Sequence, residues 1–188
     1  MKRRIFIAIN LPEDIKGELG VHQDKIELLF EPPSPIRWTK KENLHITWEF
    51  LGDLSEDELM KACQDTEDLA SKHKPFTIAL NKICYGPPKK MPPRMIWVTA
   101  AFEKASLAQN GRGEKNKEFS FTPHITLGRI KMWEFRQIEP EARPQVDENI
   151  NLTFEVDSIE VMESVLKRGG PTYTILESCP LTPLEIPN

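Results

Sequence analysis

The tripeptide His-Ile-Thr occurs twice in this chain, at residues 45–47 and again at residues 124–126. Successive side chains of a β-strand point to opposite faces, so in each copy the His and Thr share one face while the Ile lies on the other. Apolar residues flank both copies, and the chain holds only 4 His in all. This duplication favours two related strands over chance, each with an apolar face on a core and a His/Thr pair on the opposite face.

The rest of the sequence alternates strand and helix patterns in the manner of an α+β protein with mostly antiparallel sheet. One helix is predicted after Ser55, because Ser55 and Glu58 have the spacing of a capping box. Gly52 is predicted to close the strand before it, and residues 152–166 are predicted to form one long strand with a bulge near Asp157. The predicted strands are residues 3–10, 36–39, 43–51, 76–80, 95–102, 119–130, 152–166 and 173–176; the predicted helices are residues 12–30, 55–70 and 103–109.

Length and charge limit the classes of function. The 188 residues suffice for one compact domain or two small lobes that share a cleft. Lys and Arg number 25 against 29 Asp and Glu, and the net charge of −4 argues against a protein that grips long nucleic acid. A local basic cleft remains compatible with that charge. No apolar run is long enough for a membrane span or a signal peptide, so the cytoplasm is the predicted location.

The repeated motif predicts acid–base chemistry. Two equivalent strands that face one cleft would bring two imidazoles to one substrate, and an ordinary His pKa of about 6.5 lets one be neutral while the other is protonated. One His then serves as a general base and the other as a general acid. A Thr hydroxyl two residues along can donate a hydrogen bond to an anionic oxygen. This set of groups suits in-line displacement at phosphorus.

Other chemistries lack their residues. A metal nuclease needs several carboxylates beside the site, and no acidic cluster accompanies either motif. No third His or Cys stands at a spacing typical of zinc ligands, and no Gly-x-Ser-x-Gly elbow offers a serine nucleophile. We therefore predict that the protein uses neither a metal ion nor a cofactor.

These motifs and their flanks resemble those of the 2H phosphoesterase superfamily, and specifically its RNA 2′,3′-cyclic phosphodiesterase branch, also called LigT-like or 2′-5′ RNA ligases. The resemblance extends over nearly the whole chain. It implies a single bilobal α+β domain over residues 1–188, with two pseudo-symmetric, mostly antiparallel sheets, outer helices and an active-site groove between the lobes. The residues that carry the resemblance are 4–12, 42–52, 93–98, 121–129 and 164–166, with Gly170 and Tyr173.

The resemblance also implies an activity, hydrolysis of a terminal 2′,3′-cyclic phosphate of RNA to a 2′-phosphate without a metal. It implies that His45 is the proton donor to the departing 3′ oxygen and His124 the proton acceptor that activates water. Thr47 and Thr126 would hold the phosphate oxygens, and Arg129 is a candidate phosphate contact. Strand alternation puts Arg129 on the face of the central Ile, so it needs a bulge or twist to reach the cleft. The implied partners are RNA ends or small nucleotides, with no membrane, and the implied state is a monomer.

Further residues bear on substrate binding. Glu49 stands where the family often has Lys, which predicts weaker attraction for RNA, and the short segment 103–118 predicts a reduced outer helix. Aromatic candidates for base stacking are Trp38, Phe50 and Trp97, although alternation assigns Phe50 to the core face. The candidates for a basic rim are Lys40, Lys41, Lys89, Lys90 and Arg94.

Two alternatives stay open at the level of sequence. The same two histidines serve a 2′-5′ oligonucleotide phosphodiesterase or ligase, because each of these reactions is an attack at the same phosphorus. A different class is a nucleotide-binding module that has lost turnover. Intact motifs at both positions count against the second alternative, and a comparison of His variants separates them.

Overall fold

A computed structural model describes residues 2–87, 92–102 and 122–182. Its strands are β1 (Arg3–Asn10), β2 (Ile36–Trp38), β3 (His45–Leu54), β4 (Phe76–Gly86), β5 (Met95–Phe102), β6 (His124–Ile130), β7 (Asp147–Val156), β8 (Ser158–Lys167) and β9 (Gly170–Pro180). Its helices are α1 (Glu13–Glu27), α2 (Glu56–Ala70) and the short α3 (Met132–Arg136), with 3₁₀ turns at Lys41–Asn43 and Pro140–Ala142. The predicted helix over 103–109, the short segment 103–118, Lys89 and Lys90 lie outside the described residues.

The strands form one antiparallel sheet in the order β7-β4-β5-β6-β3-β1-β8-β9. The short strand β2 lies off this path and pairs with residues 128–130 of β6. The predicted α+β class with mostly antiparallel strands is confirmed. The two expected sheets are present as two halves of this sheet. They join where β6 meets β3, and the only residue pair in register there is Ile46 with Ile125. Strand pairing between β3 and β6 thus joins the two halves at one point, and the halves diverge away from it.

Both long helices cover the same face of the sheet. Ile5 and Ile9 alternate with Phe6 and Ala8 along β1, and α2 packs its Leu59 against Ile5. Helix α1 packs onto the neighbouring core that contains Ile9; its contributions are Ile15, Leu19 and Ile26. Because both helices lie on the Ile side, the Phe6 and Ala8 side of the sheet carries no helix from the described part of the chain. That uncovered face is the concave one that holds the groove.

The capping box predicted for α2 is present. The amide of Glu58 donates to the Ser55 hydroxyl at 3.4 Å, and the amide of Ser55 donates to the Glu58 carboxylate at 2.8 Å. These bonds satisfy backbone donors that the first turn of a helix leaves without partners. The helix therefore begins at the residue where its sequence predicts.

Several strands begin or end at other residues than predicted, and two of these differences change the course of the chain. Residues 152–166 are not one bulged strand, because the chain breaks at Asp157 and crosses between the halves: β7 pairs with β4, and β8 pairs with β1. Gly52 does not close β3; it adopts a φ of 81° inside the strand, which then continues to Leu54. A local pattern cannot reveal either event, since the pairing partner decides where a strand ends. No helix among residues 2–87, 92–102 and 122–182 is long and apolar enough to cross a membrane.

Gln23 fastens α1 to the sheet at the functional edge. Its side-chain amide donates to the carbonyl of Leu127 at 2.8 Å and to the carbonyl of Thr39 at 2.9 Å. The amide of Thr39 also donates to Leu127 at 2.8 Å. Buried backbone carbonyls need such partners, because an unsatisfied one costs free energy comparable to a lost hydrogen bond. One buried amide therefore joins α1, β6 and the segment after β2.

Replacing Gln23 with Met should lower the free energy of unfolding by about 1–3 kcal/mol, because the half-buried Thr39 carbonyl loses this donor and the buried Leu127 carbonyl loses one of its two. Chemical denaturation monitored by circular dichroism measures this change. Gln64→Met is the matched control, since Gln64 is exposed on α2, and its effect should stay below about 0.5 kcal/mol. Equal effects of the two substitutions would contradict the role assigned to Gln23.

Candidate active site

The two His-Ile-Thr copies lie side by side in the middle of the sheet. His45 begins β3 and His124 begins β6, and the two strands pair antiparallel through Ile46 and Ile125. Both isoleucines are 0% exposed. Their burial leaves the His and Thr side chains of both strands on the opposite face, as the alternation predicts. The copies are related by an approximate twofold axis through the Ile pair.

All four of these polar side chains line one groove with a volume of about 630 Å³. Four cationic side chains line it too, namely Arg4, Arg37, Lys40 and Arg129, against the single carboxylate of Glu49 within the described part of the chain. The groove is therefore cationic in a protein whose net charge is −4. Such a surface attracts an anionic ligand that the rest of the molecule repels.

Both imidazoles are oriented in the same way by a backbone carbonyl two residues earlier. The Nδ1 of His45 lies 2.8 Å from the oxygen of Asn43, and the Nδ1 of His124 lies 2.8 Å from the oxygen of Thr122. A carbonyl oxygen only accepts, so Nδ1 of each ring must carry the hydrogen. Proton exchange is then left to Nε2 of each ring, which is the arrangement that general acid–base catalysis needs.

Burial lowers the pKa of both histidines. Desolvation is the largest cause in each case, and the hydrogen bond to the backbone carbonyl opposes it by stabilising the charged ring. Nearby positive charges lower the pKa further, from His124 and Lys16 at His45 and from Arg129 at His124. The mutual effect of the two histidines means that protonation of one disfavours protonation of the other.

Aromatic rings surround the two imidazoles on their buried sides. The ring centroid of His45 lies 5.2 Å from that of Phe6 and 5.1 Å from that of Tyr173. The centroid of His124 lies 4.3 Å from that of Trp97, which is 4% exposed. These contacts supply the burial that lowers the pKa values. They also restrict each ring to one orientation.

The two threonines differ in their present partners. The Thr47 hydroxyl lies 2.9 Å from Nε2 of His45, so a neutral ring accepts its hydrogen. Among the described residues, the partner of the Thr126 hydroxyl is the Met95 sulfur, a weak acceptor at 3.9 Å. Both hydroxyls can rotate to donate a hydrogen bond to an oxyanion. For Thr126 the rotation costs little free energy, because the bond it gives up is the weak one to sulfur.

Arg129 reaches the groove through a bulge. The pairing of β5 with β6 changes register between Ile96 and Trp97, which leaves Leu127 as the extra residue of β6. One extra residue reverses the alternation beyond it, so Arg129 lies on the face of the histidines although its parity with Ile125 predicts the other. Gln23 and Thr39 hold the carbonyl of Leu127, as described above.

Comparison with known proteins agrees with this geometry. A family model described as LigT like Phosphoesterase matches residues 9–97. A relative from Thermus thermophilus named RNA 2′,3′-cyclic phosphodiesterase is 30% identical over 191 residues, which cover 93% of this chain and 88% of the relative. The chain belongs to the LigT-like phosphoesterase family.

Further relatives of this LigT-like chain extend the comparison. One from Methanocaldococcus jannaschii, also named RNA 2′,3′-cyclic phosphodiesterase, is 29% identical over 184 residues, covering 93% of this chain and 98% of the relative. The crystal structure of E. coli LigT complexed with 3′-AMP superposes with a TM-score of 0.72 at 26% identity, covering 97% of this chain and 99% of that one. The similarity thus spans both halves of the sheet.

The assignment of Phe50 to the core face of this LigT-like fold is wrong. The pairing of β1 with β3 shifts between Ile7 and Ala8, which leaves Trp48 as an extra residue and sets Phe50 opposite Phe6. Phe50 is 72% exposed and lines the groove. Trp38 and Trp97 line it too, but Trp97 packs on His124 and Trp38 packs on Gly128. Of the three aromatic candidates, Phe50 is the most exposed.

The predicted basic rim is only partly at the groove. Lys40 lines it, whereas Lys41 forms an ion pair with Glu13 at 3.4 Å and neither Lys41 nor Arg94 lines the groove. Glu49 is half-buried in the groove wall, where its carboxylate opposes the cations. Sequence reasoning missed Arg4 and Arg37. Strand alternation could have found Arg4, because it lies two residues before Phe6 on β1 and therefore on the same face.

Within residues 2–87, 92–102 and 122–182, no group of three or more His, Cys, Asp or Glu side chains is arranged to hold a metal ion. The polar groups in the groove are imidazoles, hydroxyls and cationic side chains, with one carboxylate. This donor set suits an anion with exchangeable protons better than a divalent cation.

Gly86 allows Trp97 to pack on His124. A Cβ at this position would lie 2.5 and 2.9 Å from Cε2 and Cε3 of the Trp97 indole. Gly86→Ala should therefore displace the indole, lower the free energy of unfolding by about 1–3 kcal/mol and raise the pKa of His124 toward its ordinary value as burial decreases. NMR titration of the imidazole Cε1–H signals measures the pKa.

Gly20→Ala is the matched control, because nothing lies within 4 Å of a Cβ at that helical position. It should leave the titration of His45 and His124 unchanged. An unaltered His124 titration in Gly86→Ala would show that Trp97 does not set its environment.

Proposed function

We propose that this protein is an RNA 2′,3′-cyclic phosphodiesterase that opens a terminal cyclic phosphate to a 2′-phosphate. One observation carries the proposal: two histidines on adjacent strands each donate Nδ1–H to a backbone carbonyl and line the same cationic groove. The activity for which the relatives are named and the 3′-AMP bound to E. coli LigT support RNA ends as substrate. A cytoplasmic location, a monomeric state and a single domain over residues 1–188 stay predictions.

The reaction follows from two proton transfers. Water attacks the phosphorus while Nε2 of His124 takes a proton from it, and the bond from phosphorus to the 3′ oxygen breaks. The departing 3′ oxygen takes a proton from Nε2 of His45, so the phosphate remains on the 2′ oxygen. Thr47 and Thr126 donate hydrogen bonds to the phosphoryl oxygens, and Arg129 offsets their charge. Solvent then restores the two protonation states.

The test is hydrolysis of a short RNA that ends in a 2′,3′-cyclic phosphate, with EDTA present and with 2′- and 3′-phosphate products resolved. His45→Ala and His124→Ala should each lower kcat by about 10²–10⁴-fold, because each removes one proton transfer. His73→Ala is the control, since this histidine does not line the groove. Binding of 3′-AMP without turnover by the unaltered protein would favour the binding module, and turnover that survives both groove substitutions would contradict the two-histidine mechanism.

The pH dependence follows from the direction of the pKa shifts. The reaction needs one neutral and one protonated histidine, and both pKa values lie below 6.5 in the free protein. The profile of kcat/KM should therefore be bell-shaped with its maximum below pH 6.5, and it should fall at higher pH as the donor loses its proton. A profile measured with 2′,3′-cyclic AMP that still rises above pH 7 would contradict this assignment.

A further inference from the structure

Two arginines lie directly opposite each other beside the catalytic motifs. Arg37 of β2 and Arg129 of β6 are cross-strand partners, and both are exposed and line the groove. Like charges directly opposite each other in a sheet are destabilising. Neither arginine forms an ion pair with a carboxylate in the described ranges 2–87, 92–102 and 122–182. An anion that enters the groove would offset this repulsion.

The backbone that carries Arg37 is held firmly in place. Ile36 and Trp38, on either side of it, lie over Gly128, where an added Cβ would stand 2.7 Å from Ile36 Cγ2 and 2.9 Å from Trp38 Cε3. The indole N–H of Trp38 donates to the Glu27 carboxylate at 2.8 Å. A guanidinium on so rigid a strand loses less freedom on binding than one on a loop.

Arg129 and Arg37 lie on different strands. Arg129 is on β6 with His124, and its charge lowers the pKa of that histidine. Arg37 is on β2, which pairs with residues 128–130 of β6. Arg129 is therefore placed toward a phosphate at His124, and Arg37 lies beside it on the neighbouring strand.

We propose, on the basis of the function proposed above, that Arg37 binds the phosphodiester on the 5′ side of the terminal nucleotide. A mononucleotide cyclic phosphate has no such group, whereas every oligonucleotide has one. The groove then selects RNA ends over free cyclic nucleotides through one guanidinium–phosphate contact. Lys40, three residues after Arg37, also lines the groove.

The experiment compares kcat/KM for 2′,3′-cyclic AMP and for a tetra-adenylate that ends in a cyclic phosphate. Arg37→Gln should lower the value for the tetranucleotide about tenfold, the loss of one charged hydrogen-bonded contact, and leave that for cyclic AMP within about twofold. The negative slope of log kcat/KM against log salt concentration should become shallower by about 0.7 for the tetranucleotide. It should stay the same for cyclic AMP. Arg136→Gln is the control, since Arg136 is exposed on α3 and does not line the groove.

Two results would overturn this assignment. Equal losses for both substrates would put Arg37 on the terminal phosphate, and no loss for either would make it an ordinary solvated arginine. Calorimetric binding of 3′-AMP and of tetra-adenylate 3′-phosphate needs no turnover, so it decides the role of Arg37 even where hydrolysis, and with it the proposed function, fails. The midpoint temperature of thermal unfolding should not be lower for Arg37→Gln than for the unaltered protein, because the substitution removes a like-charge pair.

Discussion

The antiparallel contact between Ile46 and Ile125 is the constraint on which the rest of the structure depends. Within residues 2–87, 92–102 and 122–182 it is the only residue pair in register between β3 and β6, and both side chains are completely buried. Because side chains alternate across a strand, burying these two residues forces His45 and His124 to the opposite face. The halves splay away from this point, and the space between them is the groove. One buried residue pair thus joins the two halves of the sheet and sets the position of the groove between them.

The groove combines two opposing electrostatic conditions. Burial against aromatic rings lowers the pKa of both histidines and makes them poor cations in the free protein. The cations of the groove wall keep the region attractive to anions, and they come from β1, β2, β6 and the segment after β2. A bound phosphate would stabilise a protonated histidine, since opposite charges favour the charged form. The cationic side chains that would attract a phosphate therefore already line the groove of the free protein.

Two bulges decide which side chains enter this groove. The extra residue Trp48 brings Phe50 to the histidine face, and the extra residue Leu127 brings Arg129 to the same face. Both bulges lie just beyond a His-Ile-Thr copy, so the duplication extends to the irregularity that follows each motif. Gln23 stabilises the second bulge from a helix that is distant in sequence. Uninterrupted alternation would leave Phe50 and Arg129 on the face of Ile46 and Ile125.

The sequence by itself determined the strands that carry the motifs, the buried role of Ile46 and Ile125, the cap of α2 and the α+β class. These features depend on the period of two along a strand or on bonds within one helical turn, so they are properties of neighbouring residues. Only the tertiary structure decided the faces of Phe50 and Arg129, the break at Asp157 and the pairing of Arg37 with Arg129. Each of these depends on which strand or helix lies alongside, and a register shift of one residue reverses every side chain beyond it. That choice belongs to contacts between segments far apart in the chain, which no local pattern records.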